Sequence, residues 1–361
     1  MRILIFISLI SVLFSCGGTD CCGPKPDPVT KELVRAVDIS FLPKIEAAGT
    51  KFYNAAGDEE DALDIFKDNG VNMVRIRLWH TPADDHSSLE EVKEFAARVK
   101  AKGLKVWLTV HYSDTWADPG HQVKPAAWNA ASFTVLGDSI YKYTKKIMTA
   151  IDPDIIQIGN EVNPGFLLPD GATSNIPNFT ALLKKGIQAV RETSADTEIM
   201  IHIAGFDISE WFYQQLEDQD VDYDMIGLSY YPVFHGKDLN ALQLAMNTLG
   251  TVHQKKVLIA ETSYPFTLDW NDDTNNTVGE TGQLVSGYPA TPLGQKNFML
   301  KIRDMVTKSP KGYGFAWWAP EWVAFKGPTS ETGSSAENLT LFDFNNKALP
   351  ALNAFHEVIE E

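Results

Sequence analysis

The sequence predicts an α/β protein, a single-domain (β/α)8 TIM barrel. Three observations carry that expectation. Short β-rich runs recur eight times along the chain, at residues 34–40, 73–79, 105–112, 155–161, 198–204, 225–231, 257–263 and 314–318. Several are continuously apolar, as in Val106-Trp107-Leu108-Thr109-Val110, which suits a parallel strand buried on both faces. Loops and amphipathic stretches alternate with them, and no Pro/Gly/Ser-rich break divides the series. A doubly wound open sheet would need a glycine-rich phosphate loop after a strand, and none is present.

Taken in order, residues 1–15 form a secretory signal. Arg2 precedes a run from Ile3 to Phe14 that carries no charge, and Ser15-Cys16-Gly17 follows. The run is short for a spanning helix. Leu13-Phe14-Ser15-Cys16 resembles a bacterial lipobox, which implies lipidation of Cys16; an ordinary signal cut nearby is the alternative. Residues 16–33, rich in Gly, Pro and charge, read as a flexible tether holding the remaining cysteines, Cys21 and Cys22. The barrel at 34–361 then has no cysteine for a disulfide, a thiolate metal site or a thiol nucleophile. The expected location is the cell envelope, on the outer-membrane surface or in the periplasm, with membrane contact only through the lipid.

Between the strands, residues 89–102 place Val92, Phe95, Ala96 and Val99 on one helical face, and Gly103 closes that helix. Residues 61–69, 179–192 and 295–308 behave similarly. A net charge of −16, or −17 once Arg2 leaves with the signal, argues against nucleic acid and anionic lipid as partners. It suits a neutral substrate, for which nine tryptophans supply flat apolar faces.

Active sites of this barrel lie at the C-terminal ends of the strands. Arg75 and Arg77 stand there on strand two, His111 on strand three, Asn160 and Glu161 on strand four, Tyr231 on strand six, Glu261 on strand seven and Trp318 on strand eight. Two carboxylates emerging from buried apolar runs are what glycoside hydrolysis uses, one holding a proton and the other ionised. Environment separates such a pair, and Arg75 and Tyr231 are suitable donors to the ionised member.

The loop His111-Tyr112-Ser113-Asp114-Thr115-Trp116-Ala117-Asp118-Pro119-Gly120 resembles that of glycoside hydrolase family 53, the endo-β-1,4-galactanases. So do Val37-Asp38-Ile39-Ser40, the segment 70–79, Gly227-Leu228-Ser229-Tyr230-Tyr231-Pro232 and Glu261-Thr262-Ser263-Tyr264-Pro265. The resemblance runs from about Val37 to Phe355. It implies retaining endo-hydrolysis of β-1,4-galactan in pectic galactan or type I arabinogalactan, with Glu161 as acid/base and Glu261 as nucleophile. Asn160 would bind the sugar 2-hydroxyl, and Arg75, His111 and Tyr231 would orient the carboxylates. Trp116, Asp118 and Trp318 would hold neighbouring sugars. Two departures bear on the sugar subsites: Ala204-Gly205-Phe206, where some members carry an acid, and Trp317-Trp318-Ala319-Pro320-Glu321-Trp322, with Ala and Glu exchanged. Another β-glycan as substrate, a mannan or glucan, and an inactive glycan-binding lipoprotein are the competing readings.

After strand seven, Asp269, Asn271, Asp273 and Asn275 alternate as oxygen donors suited to Ca²⁺, which bacterial members of that family hold at this place. A solvated Asx-rich turn is the alternative. No organic cofactor is expected.

Overall fold

The computed structural model describes residues 32–356. The expected signal, the lipidation site Cys16 and nearly all of the tether lie outside the described residues. Among these, no helix is long and apolar enough to cross a membrane.

Eight parallel strands close into a barrel: β1 Val34–Asp38, β2 Met73–Leu78, β3 Lys105–Val110, β4 Ile155–Ile158, β5 Glu198–Ala204, β6 Met225–Tyr230, β7 Lys256–Thr262 and β8 Gly312–Trp318. Each strand pairs with its chain neighbours, and β8 closes on β1. The expected segments therefore locate all eight strands. The bounds differ most at β4, which ends at Ile158 rather than at Glu161.

The two faces of the strands carry different chemistry. Val74, Ile76, Leu78, Val106, Leu108, Ile156, Ile158, Ile201, Ile203 and Ile259 face the helices and join one large apolar core. The inner face starts apolar, with Val34, Ala36, Met73, Trp107, Ile155, Met200, Met225 and Leu258 packed together. One step nearer the C-terminal ends it becomes polar, with Asp38, Arg75, Gln157, His202 and Ser229 all buried. Alternation with period two produces this separation.

Helix ends follow local side-chain chemistry. Ser88 caps Leu89–Ala101 by accepting from Glu91 N, and Ser132 caps Phe133–Ile151 through Val135 N. Thr291 caps Pro292–Lys308, where Pro292 lacks an N–H that the first turn could not pair anyway. A short ladder of Gly165–Phe166 with Gly171–Ala172 follows β4; the sequence gives no periodic signal for pieces of two residues.

A bulge in β7 aims one functional side chain. Leu228 pairs with Ile259 but Ser229 pairs with Glu261, and on the other side Phe315 pairs with Ile259 while Trp317 pairs with Thr262. One residue is thus extra in β7 relative to both neighbours. Ala260 joins the inner apolar layer, and Glu261, the next residue, also reaches the barrel mouth.

Candidate active site

Arg75 organises the polar layer. It faces Asp38 on β1 in register, and its Nη1 donates to Asp38 Oδ2 at 2.5 Å. Nη2 donates to Asn160 Oδ1 at 2.9 Å and Gln157 Oε1 at 3.2 Å, and lies 2.8 Å from Glu261 Oε1. The guanidinium is buried, so each of these contacts is made in a medium that screens poorly. Removing either acidic partner would strand a buried charge.

Above this layer opens a cleft of about 610 Å³. It is lined by both glutamates and by His111, Trp116, Asp118, Asn160, Tyr231 and Trp318. The structure therefore gathers the catalytic and substrate-binding residues expected from sequence at one barrel mouth, while the loop residues 269–275 do not line it. Arg75 alone of the set sits beneath the cleft floor rather than on its wall.

Glu161 and Glu261 each present a carboxylate oxygen within 4.8 Å of the other. Their surroundings differ. Tyr231 Oη donates to Glu261 Oε2 at 2.9 Å while Arg75 holds Oε1. Ser229 Oγ donates to Glu161 Oε1 at 2.5 Å, and among the described residues no cation touches that carboxylate. Burial, then the charge of Glu261, pushes Glu161 up to about 8, against the Ser229 hydrogen bond and Arg75. Burial also raises Glu261, but Arg75 and Tyr231 pull it back. Of the two, Glu161 is the one held protonated near neutrality.

Glu161 does not sit on a strand. Gly159 has φ +80, and a Cβ there would meet Val162 Cγ1 at 2.5 Å, so the turn after β4 requires glycine. Glu161 itself has φ 46, a conformation that costs a non-glycine residue about 1 kcal/mol or more. The surroundings hold it there: Val162 N donates to His202 O at 2.9 Å, and Gln122 Nε2 donates to Asn160 O at 2.8 Å and Glu161 O at 3.2 Å.

His111 meets its expectation only in part. Trp79 Nε1 at 3.3 Å and Ala117 N at 3.0 Å both donate to its Nδ1, which leaves Nε2–H for the cleft. Burial, with Arg77 and Arg75 nearby, keeps the imidazole well below its usual range and neutral. No described hydrogen bond joins it to either glutamate. Trp116 packs against the Arg77 guanidinium, 4.1 Å from its ring centroid, and lies 6.4 Å from Trp318. Asp118 bonds its own loop, accepting from Gly120 N at 2.7 Å. Trp107 and Trp128 are buried.

Sequence reasoning overlooked Asp38, Gln157, His202 and Ser229 as site residues. The available signal was a lone polar residue at an inward position of an apolar run, as in Ile155-Ile156-Gln157-Ile158 and Ile201-His202-Ile203. Arg77, expected at the strand end but given no role there, is buried among Phe41, Trp79 and Trp116 and pushed down to about 10 by that burial.

The spacing of Glu161, His202 and Glu261 would suit a small metal ion, but the donor chemistry does not. His202 has Nδ1 2.9 Å from Gln157 Nε2 and Nε2 2.9 Å from Ser229 Oγ, so both ring nitrogens are engaged.

The model of glycosyl hydrolase family 53 matches residues 34–355, the whole barrel. The chain belongs to that family. It is therefore a glycoside hydrolase. It is 36% identical, over 88% of its own length and 89% of the relative's, to an arabinogalactan endo-beta-1,4-galactanase of Cellvibrio japonicus. It is 30% identical to an endo-beta-1,4-galactanase of Bacillus subtilis, over 92% of this chain and 87% of that one. Among solved structures, the family 53 catalytic domain of Ignisphaera aggregans superposes with a TM-score of 0.85 at 37% identity, covering 90% of this chain and 95% of that domain.

In the family 53 barrel described here, the loop after β7 buries carboxylates other than the alternating four. Asp269, Asp273 and Asn275 are exposed and Asn271 is half-buried. Asp272 is the buried one, accepting from Thr274 N at 2.7 Å and from Ser334 N at 3.1 Å. Glu337 Oε1 accepts from Asn271 N at 2.5 Å, so backbone hydrogen bonds tie this loop to the loop after β8.

Proposed function

We propose that this glycoside hydrolase is a retaining endo-β-1,4-galactanase acting on pectic galactan or type I arabinogalactan. The observation that carries the mechanism is the close approach of two differently solvated glutamates. Oxygens within 4.8 Å lie nearer the separation of about 5–5.5 Å typical of retaining enzymes than that of about 6.5–9.5 Å in inverting ones. The galactan assignment is supported by the names of the Cellvibrio and Bacillus relatives and by the 111–120 loop.

In the first step Glu261 attacks the anomeric carbon as the bond to the leaving sugar breaks. The proton of Glu161 passes to the departing oxygen. In the second step Glu161, now ionised, takes a proton from water as that water attacks the same carbon and frees Glu261. Arg75 and Tyr231 keep Glu261 ionised for attack and receive its charge again on release. Asn160 uses one Nδ2 hydrogen on Ala117 O at 2.8 Å, and the other serves the sugar 2-hydroxyl. Trp116 and Trp318 offer ring faces to neighbouring sugars.

Protein lacking residues 1–22 should release reducing ends from potato-type galactan, and Glu261→Ala should abolish the release. Preferential cleavage of mannan or glucan would overturn the substrate; binding without cleavage would make the chain a glycan-binding protein.

The exported, lipid-anchored state belongs to the same reading. It is supported by the 1–16 segment, and Cys16→Ala should move the protein from the membrane fraction to the soluble one. Calcium at Asp269, Asn271, Asp273 and Asn275 is supported by hard oxygen donors, three of which face solvent.

A further inference from the structure

Ser229 and His202 stand behind Glu161, buried on β6 and β5, and their hydrogen bonds run in one direction only. The direction is set at Arg75, which has no lone pair and can only donate. Its Nη2 approaches Gln157 Oε1 at 3.2 Å, so the Gln157 amide turns its oxygen toward Arg75 and its Nε2 toward His202. Thr109 Oγ1, 3.3 Å from the same Oε1, agrees with that orientation.

Gln157 Nε2 lies 2.9 Å from His202 Nδ1. Two nitrogens at that distance need a proton between them, and an amide nitrogen has no lone pair to accept one. Nδ1 therefore accepts, and the ring proton sits on Nε2. Asn160 Oδ1, farther from Nδ1 at 3.2 Å, is already served by Arg75, and Gln157 Nε2 divides its two hydrogens among His202 Nδ1, Asn160 Oδ1 at 2.9 Å and Gly159 O at 3.1 Å. His202 Nε2–H then donates to Ser229 Oγ at 2.9 Å. A serine hydroxyl has one hydrogen, and a ring N–H cannot receive it. It goes to Glu161 Oε1, 2.5 Å away.

We propose that Ser229 and His202 are positioning residues for Glu161, a one-way chain that keeps the acidic proton on Oε2 and stabilises the carboxylate while it acts as base. This rests on the acid/base reading of Glu161 given above. With Oε1 committed as an acceptor, Oε2 is the oxygen left to carry the proton toward substrate. After the proton has gone, the same hydroxyl still donates to the charge. His202 contributes no charge of its own, since burial and Arg75 hold it well below its usual range.

Other charged and titratable groups also face Glu161: Glu261 from β7, Arg75 from β2, Asp118 from the loop after β3, and Tyr231 at the end of β6. Among the described residues the Ser229 hydroxyl bonds to Glu161 and His202, so its loss reads on Glu161 directly.

The test is the alkaline limb of kcat/KM on an aryl β-galactan oligosaccharide, followed in Ser229→Ala, His202→Met and His202→Gln, each checked for a cooperative melt. Losing a donor to the charged form raises a carboxyl pKa. In Ser229→Ala the limb should move up by about half a pH unit or more, and kcat on galactan should fall roughly tenfold with KM nearly unchanged. His202→Met should move the limb the same way, and His202→Gln, which keeps an N–H near that place, should return it toward the parent. A limb that stays put in both Ser229→Ala and His202→Met would overturn the proposal while leaving Glu161 as acid/base. Glu161→Ala separates the two readings. It should abolish the limb and gain activity with added azide; a limb that survives there removes the acid/base assignment and this proposal with it.

Discussion

Arg75 lies 2.8 Å from Glu261, and among the described residues no guanidinium is in contact with Glu161. Burial raises both carboxyls, but Arg75 and Tyr231 pull Glu261 back, whereas Glu161 is pushed up to about 8.

Replacing Arg75 by alanine should therefore strand Glu261 and Asp38 as unpaired buried carboxylates. Burial would then act on Glu261 without its main counterweight, and its pKa would rise further. Because the attacking group must be ionised, the acid limb of kcat/KM should move to higher pH. We expect activity to fall at least ~100-fold and stability to fall by about 3–5 kcal/mol. Kinetics across pH and urea unfolding measure both.

Glu161 makes stability depend on pH in a direction opposite to that of a salt-bridged acid. Its folded value of about 8 lies above the ordinary 4.5, so the native state binds the extra proton more tightly than the unfolded chain. Stability is then fully present below 4.5 and declines as pH rises toward 8. Glu161→Gln removes the titration. Its stability relative to the parent should increase across that window, on the order of a few kcal/mol at the alkaline end. A parent-to-variant difference that is flat with pH in denaturant melts would refute this.

Trp116 covers Arg77 on one side and faces the cleft on the other. If it is a sugar platform, Trp116→Ala should raise KM for galactan by roughly tenfold, the equivalent of about 1.4 kcal/mol, with a smaller change in kcat. A melting midpoint that drops while KM holds would reduce Trp116 to a cover for the arginine.

The loop after β7 separates metal from hydrogen bonding. Exhaustive chelation should lower the melting midpoint of the parent, and calcium should restore it. Asp269→Ala combined with Asp273→Ala should abolish that response. Asp272→Ala should destabilise the protein with or without calcium, because Thr274 N and Ser334 N lose their acceptor. A parent indifferent to chelation would leave the loop as a hydrogen-bonded turn.

How far the sequence reveals this site depends on which physical pattern encodes each residue. The strands were legible because their runs are mainly aliphatic or aromatic, and the glutamates because they end such runs. Gln157, His202 and Ser229 were legible only as breaks in apolarity, which do not say what they contact. Residue 272 shows a different limit. Asp272 and Asp273 are chemically identical neighbours, and only the loop's path decides which turns inward. The conformation of Glu161 was hidden because Gly159 and the Gln122 bonds set it, and the latter come from a separate loop.

The extra residue in β7 has a bearing on redesign. In an unbroken strand the side chain after an inward Ala260 points out to the helices, so Glu261 reaches the cleft only because the strand falls out of step with both neighbours. Regularising β7 while keeping every one of its residues would turn the glutamate toward the aliphatic shell, whereas removing Ala260 together with the bulge would leave it inward opposite Ser229. A graft that transfers the β7 sequence whole onto another eight-stranded scaffold has to carry the irregularity along with the side chain.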